Sequence, residues 1–130
     1  MAIDSKKHGK GTYSYLNDSI YTGDWKYNRR NGHGVSIWDD GERYRGEYID
    51  DMTHGFGRCL YSDGAVYTGE YSQDRMHGKG IYVFSSGNKY EGDWKKDLKH
   101  GKGIHTWNNG DRYIGKYKNN LKEGKGIFEY

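Results

Sequence analysis

Tyr21, Tyr44, Tyr67, Tyr90 and Tyr113 stand 23 residues apart, four times without slippage. Two residues after each comes a glycine: Gly23, Gly46, Gly69, Gly92 and Gly115. Two further on comes a large aromatic: Trp25, Tyr48, Tyr71, Trp94 and Tyr117. A fixed period of this size marks a repeat architecture, in which each unit buries its face only against its neighbours. It excludes an ordinary globular core.

The rest of the unit is as regular. Ten residues after the leading tyrosine come Asn31-Gly32-His33-Gly34, His54-Gly55-Phe56-Gly57, His77-Gly78-Lys79-Gly80, His100-Gly101-Lys102-Gly103 and Glu123-Gly124-Lys125-Gly126. His8-Gly9-Lys10-Gly11 is a further copy upstream. An aromatic follows each pair: Tyr15, Trp38, Tyr61, Phe84, Trp107 and Tyr130. Polar triplets ending in glycine then close the unit (Asp39-Asp40-Gly41, Ser62-Asp63-Gly64, Ser85-Ser86-Gly87, Asn108-Asn109-Gly110), except in the first copy, which reads Leu16-Asn17-Asp18. The chain divides into a half unit at 8–20 and units at 21–43, 44–66, 67–89, 90–112 and 113–130, a single array with no room for a second domain.

Apolar or glycine positions alternate with polar ones in Tyr44-Arg45-Gly46-Glu47-Tyr48 and Tyr90-Glu91-Gly92-Asp93-Trp94, the signature of a half-exposed strand. The polar triplets fit three-residue hairpin loops closed by a glycine with positive φ. The other turn carries Asn28, Asp51, Asp74, Asp97 or Asn120, residues that tolerate a left-handed conformation. The fold expected is all-β: an elongated single-layer antiparallel meander of tandem hairpins, about 11 strands in all. On one face the leading tyrosine, its glycine and the next aromatic sit together. Both glycines of each His-Gly-x-Gly segment are expected on that face too, making room for rings. The other face carries charges and a weaker apolar row: Val35, Ile37, Leu60, Ile81, Val83, Ile104 and Ile127.

Tyr90-Glu91-Gly92-Asp93-Trp94, Lys99-His100-Gly101-Lys102-Gly103 and Asn109-Gly110-Asp111-Arg112-Tyr113 resemble the MORN (membrane occupation and recognition nexus) repeat family. The likeness covers 8–130; Glu123 and Asn31 depart from it, standing where the other units carry histidine. The resemblance implies a scaffold that binds partner proteins in a groove. It also implies a link to acidic phospholipids and a place in the cytoplasm, at a membrane or at the cytoskeleton.

Low hydrophobicity (32%) with high charge (30%) would favour disorder, but 14 Tyr, 4 Trp and 3 Phe in strict period argue against it. The single cysteine, Cys59, falls on the ring face as a small hydrophobe. Met1-Ala2-Ile3-Asp4-Ser5-Lys6-Lys7 has no apolar core for a signal peptide, so a cytoplasmic protein is expected and Asn17-Asp18-Ser19 reads as a turn rather than a glycosylation site. A net charge of +3 is too small to point to nucleic acid. The basic excess lies mainly in 90–130, which carries 9 basic and 6 acidic residues.

His8, His54, His77 and His100 occupy one place in successive units. Equivalent residues two strands apart are separated by roughly 10 Å, whereas zinc takes its ligands at about 2.0–2.1 Å. These histidines cannot share an ion, and no metal or other cofactor is expected. No Gly-Lys-Gly segment has the Walker A spacing. Asp39-Asp40 and Asp50-Asp51 lie in turns, where aspartate is expected. Candidate groups spread evenly along a ribbon do not make one catalytic centre, so no enzyme activity is expected.

The function expected is a scaffold or adaptor that takes a peptide or helix along a groove lined by rings and glycine backbone, with Tyr48, Tyr61, Tyr71, Phe84 and Trp94 as partner-binding residues. Self-association through the two sheet ends is expected as well. The alternative is a peripheral module holding acidic phospholipid through Lys95, Lys99, Lys102, Lys118, Lys122 and Lys125. Two further readings are carbohydrate binding, disfavoured by the N-terminus, and an accessory array of a larger enzyme, as in some lipid kinases and methyltransferases that carry such repeats.

Overall fold

The computed structural model describes residues 9–130, so His8, Lys6 and Lys7 lie outside it. Eleven strands follow one another in chain order: β1 (Gly9–Ser14), β2 (Ile20–Lys26), β3 (Arg29–Ile37), β4 (Arg43–Ile49), β5 (Met52–Leu60), β6 (Val66–Ser72), β7 (Arg75–Val83), β8 (Lys89–Lys95), β9 (Leu98–Thr106), β10 (Arg112–Lys118) and β11 (Leu121–Glu129). They form one antiparallel sheet in the order β1 to β11, each strand pairing only with its sequence neighbours. No helix occurs among the described residues.

Two kinds of turn generate the meander. Two-residue turns have both residues left-handed, as at Asp50 (φ 48°) and Asp51 (φ 70°), or Lys96 (φ 49°) and Asp97 (φ 70°). This is the type I′ geometry whose twist matches that of the flanking strands. The three-residue loops end on a glycine such as Gly64 (φ 95°), closed by Gly64 N–H donating to the Tyr61 carbonyl. The atypical first loop keeps this geometry because Asp18 adopts φ 68° in the glycine's place.

The pairing slips once in every hairpin closed by a two-residue turn and runs unbroken in the others. Gly23 faces Gly34 and Trp25 faces Arg30, so three residues of β3 lie opposite Asp24 alone. The same bulge recurs between Gly46 and Tyr48, Gly69 and Tyr71, Gly92 and Trp94, and Ile114 and Lys116. Two extra residues restore the side-chain alternation, so both ends of the bulged strand keep the same face inward.

Here one expectation is corrected. The two glycines of each segment do not serve one purpose. The second lies beneath the leading tyrosine: a Cβ on Gly34, Gly57, Gly80 or Gly103 would collide with the ring or hydroxyl of Tyr21, Tyr44, Tyr67 or Tyr90. The first takes the left-handed conformation that the bulge needs, with φ of 89° at Gly32 and 90° at Gly78, and a Cβ there would meet the Asp24 or Glu70 carboxylate instead. Bulge geometry turns it away from the rings.

The core is a continuous chain of rings. Tyr21, Tyr44, Tyr67 and Tyr90 are at most 1% exposed. Each meets the next aromatic of its own unit edge-to-face, with centroids 5.0–5.3 Å apart. Each also meets that of the following unit: Tyr21–Tyr48 at 5.2 Å, Tyr44–Tyr71 at 5.2 Å, Tyr67–Trp94 at 5.6 Å and Tyr90–Tyr117 at 5.2 Å. Edge-to-face pairs of this kind contribute about 0.5–1.5 kcal/mol beyond area burial. Every one of these tyrosines donates its hydroxyl to the carbonyl three residues on, Tyr67 to Glu70 at 2.8 Å for example. The bulge leaves that carbonyl free, and phenylalanine could not satisfy it.

Gly69→Val should therefore destabilise the protein by about 1–3 kcal/mol, the usual cost of overpacking. Its Cβ would meet Gly80 Cα, the Lys79 carbonyl and the Tyr67 hydroxyl. Lys95→Ala, at an exposed position, is expected to stay within about 0.5 kcal/mol. Urea denaturation of the two variants compares them directly; equal midpoints would contradict the ring-over-glycine packing.

Candidate functional site

The ring face is not sealed. A cavity of 630 Å³ runs over Trp38, Tyr48, Tyr61, Tyr71, Met76 and Tyr82. It shares Met76, Tyr82 and Asp97 with a second, of 420 Å³, that reaches Phe84, Trp94 and Lys99. That one shares Lys99 and Asn120 with a third, of 330 Å³, at His105, Trp107, Tyr117 and Lys122. Together they form one trough crossing the sheet from β3 to β11.

The five ring residues expected to bind a partner all border this trough, in two layers. Tyr48, Tyr71 and Trp94 are buried and form its floor, while Tyr61 and Phe84 stand half-exposed on its wall. Tyr82 joins them, 5.6 Å from Tyr61, 4.7 Å from Phe84 and 6.0 Å from Trp94. Tyr82 belongs to a 23-residue row not evident from the regular positions: Ser36, Cys59, Tyr82, His105 and Phe128.

A second such row is Arg30, Thr53, Met76, Lys99 and Lys122. These residues follow the type I′ turns and project over the rings. The Arg30 guanidinium lies 5.1 Å from the Tyr48 ring and 5.8 Å from that of Tyr21. Lys99 Nζ sits 5.4 Å from Phe84, 5.2 Å from Tyr90 and 5.6 Å from Tyr117. Lys122 Nζ sits 4.7 Å from Tyr113 and 5.3 Å from Phe128. Such positions over ring faces are attractive for a cation.

A third row holds the units together. The second turn residue reaches back to the preceding unit: Asp51 Oδ1 accepts from Arg30 N–H (2.7 Å), Asp74 Oδ1 from Thr53 (2.8 Å), Asp97 Oδ1 from Met76 (2.8 Å) and Asn120 Oδ1 from Lys99 (2.8 Å). The backbone N–H of each of these turn residues returns a bond to the carbonyl of the same partner. His77 bonds the backbone of the following unit's turn, its Nδ1 accepting from Lys96 N–H. Asn31 does the same for Asp50.

The six lysines considered for lipid do not form one patch. Lys99 and Lys122 lie in the trough. Strand alternation puts Lys95, Lys102, Lys118 and Lys125 on the opposite face, next to the inward-facing Trp94, Gly103, Tyr117 and Gly126.

The family model for the MORN repeat matches residues 3–19, 21–43, 44–66, 67–89, 90–112 and 113–130. The chain belongs to the MORN repeat family. No curated protein matches it significantly. Among solved structures this MORN array is similar to the TCP domain of SAS-4 (dCPAP) of Drosophila melanogaster, determined in complex with a proline-rich motif of Ana2 (dSTIL), at 13% identity and a TM-score of 0.47. The alignment covers 94% of this chain and 72% of that one, and at this level the likeness carries no structural argument.

Burial sets the titration behaviour of the MORN trough. It pushes the Cys59 thiol up to about 11, with the nearby Glu42 carboxylate adding to the effect. It raises the phenols of Tyr44, Tyr61, Tyr67, Tyr71 and Tyr90 well above their ordinary value. Lys99 is held below the usual lysine range by burial and then by repulsion from Lys122. His105 is lowered by burial and by both lysines.

For the thiol and the phenols the folded state favours the protonated form. Their contribution to stability is complete below the unfolded values, near 9 for the thiol and 10 for the phenols, and is lost as pH rises past them. Lys99 works in the opposite sense, since its destabilising charge fades as pH rises; one lysine is outweighed by five tyrosines and the cysteine. The melting temperature should hold level from pH 7 to 8.5 and fall steadily from pH 9 to 11. Thermal unfolding followed by circular dichroism measures this, and a flat profile to pH 11 would contradict it.

Proposed function

We propose that this MORN array is a non-catalytic scaffold that binds a peptide or helix of a protein partner along the ring-lined trough, acting in the cytoplasm. The observation that carries this reading is the continuity of the three cavities. They link half-exposed rings of successive units into a path long enough for a segment of chain rather than a small molecule. The fixed positions of the repeat make the floor, and the positions that vary between units, such as Tyr82 and His105, make the contact surface. Rigid aromatic anchors in such a setting commonly dominate binding energy.

The test begins with peptides selected on the whole protein from a displayed library. Tyr61→Ala and Phe84→Ala, each verified as folded by circular dichroism, should weaken a selected peptide by about thirtyfold, equivalent to about 2 kcal/mol at an anchor. Phe56→Ala, at a ring 57% exposed on the opposite face, should leave it unchanged. The reverse pattern would move the site to that face.

A second reading is acidic phospholipid on the opposite face, where four lysines gather toward β8–β11. Sedimentation with phosphatidylserine vesicles, abolished by salt and by joint substitution of Lys95, Lys102, Lys118 and Lys125, would support it.

A further inference from the structure

The turn residue that clamps each unit to the one before needs only a side-chain oxygen. Asp51, Asp74, Asp97 and Asn120 all supply it to the same backbone N–H. Charge at this position is therefore not required by the fold, and its neighbour across the clamp decides whether it is compensated. In the first case it is: Arg30 Nε lies 3.2 Å from Asp51 Oδ1. In the next two it is not, because Thr53 and Met76 stand where Arg30 stood. Asp74 and Asp97 have no ion-pair partner among the described residues. In the fourth the surplus reverses: Lys99 has an amide, Asn120, in place of a carboxylate. Lys122 follows, and neither lysine has an ion pair among the described residues. The trough thus presents, at successive clamp positions along the sheet, two uncompensated negative charges and then two uncompensated positive ones.

We propose that the trough takes an amphipathic α-helix whose charge is segregated along its length, a basic half lying over Asp74 and Asp97 and an acidic half over Lys99 and Lys122. This rests on the trough being the docking site. Spacing favours the helix: successive units are two strands apart, ~9.6 Å, and seven residues of helix, nearly two turns, advance ~10.5 Å. One residue in every seven then meets each charged position. An extended strand returns to the same face every ~6.7 Å and falls out of step. A polyproline turn of ~9.3 Å keeps step, but its backbone is unpaired. The sheet's own N–H and C=O groups are taken up in the ladder along β4 to β10, so the trough offers rings rather than backbone partners. A helix arrives with its backbone bonds already made.

Three synthetic peptides, the two helical ones of identical composition, test this on the full chain by fluorescence anisotropy. All are fluorescein-labelled and leucine-rich on the inward face. One helical peptide carries Lys, Lys, Glu, Glu at seven-residue intervals, the second Lys, Glu, Lys, Glu at the same places, and the third is proline-rich with the segregated order at three-residue intervals. The segregated helix should bind about tenfold tighter than the interleaved one. Met76→Arg and Asn120→Asp should together reduce that preference below about twofold, because each rebuilds the compensated Arg30–Asp51 arrangement. Both substitutions place residues that the first full clamp already carries, and circular dichroism confirms their folding. Equal binding of the two helices, lost alike in Tyr61→Ala and Phe84→Ala, would overturn the charge order while leaving the trough as the site. Tighter binding of the proline-rich peptide would overturn the helix. If no helical peptide binds while library-selected peptides do, the proposal fails and the trough reading stands; if neither class depends on Tyr61 or Phe84, both fail.

Discussion

A tyrosine lying over bare glycine backbone is the contact on which the rest of this protein depends. A single-layer sheet has no second layer to bury against, so its core must be made within its own face. Tyr67 achieves this by lying across Gly69 and Gly80, which face each other in the ladder, with its hydroxyl bonded to the Glu70 carbonyl. Removing both side chains lets a large ring sink to the level of the backbone. The neighbouring rings then meet it edge-on from both sides, and the buried surface becomes continuous from Trp25 to Tyr117. The bulge is part of the same device, since it frees the carbonyl that the hydroxyl needs and is braced by an acidic side chain, Asp24 accepting from His33 N–H at 3.0 Å and Glu47 from Phe56 N–H at 2.6 Å.

This arrangement separates two jobs along the chain. Tyrosine, glycine, the acidic brace and the turn oxygen build the sheet and repeat almost unchanged. Two other rows, Arg30 to Lys122 and Ser36 to Phe128, face the trough without being needed for any of those contacts, and their identities vary between units. Repeat proteins gain a long binding surface in this way, since neighbouring units tile a scaffold while a few positions remain free to vary. The charge order along the trough is a property of those free positions alone.

Much of the fold was legible before any coordinates. The strands, the strand count, the loop glycines and the sharing of a face by Tyr21, Gly23 and Trp25 all follow from period 2 nested within period 23. Period-2 counting puts the first glycine of each pair on the ring face because it cannot see a bulge: three residues of β3 facing one of β2 leave the alternation intact on either side. The site was half legible. Tyr48, Tyr71 and Trp94 stand out by regularity, yet regularity selects the floor. Tyr82, Arg30 and Met76 gave no periodic signal, because residues that vary between units are what a search for repetition discards. The one available signal was the variation itself at a position otherwise in register.

The sequence alone determined the architecture, because each unit's folding contacts lie within itself or with the next unit, and local spacing is enough to specify them. It also marked the rings on either side of Gly23, Gly46, Gly69, Gly92 and Gly115 as the buried ones, since they repeat without change and share the face of the bare backbone. Only the tertiary structure decided what the free positions become. Lys99 and Lys102 fall on opposite faces, as their odd separation requires, but only the register of β9 with its neighbours sets Lys99 over the rings of Phe84, Tyr90 and Tyr117. Asp97 and Met76 are 21 residues apart, yet a backbone clamp sets them side by side at the trough. Charge along the chain could be counted from the sequence; charge along the trough depends on register, and register between hairpins is fixed by hydrogen bonds that no linear pattern displays.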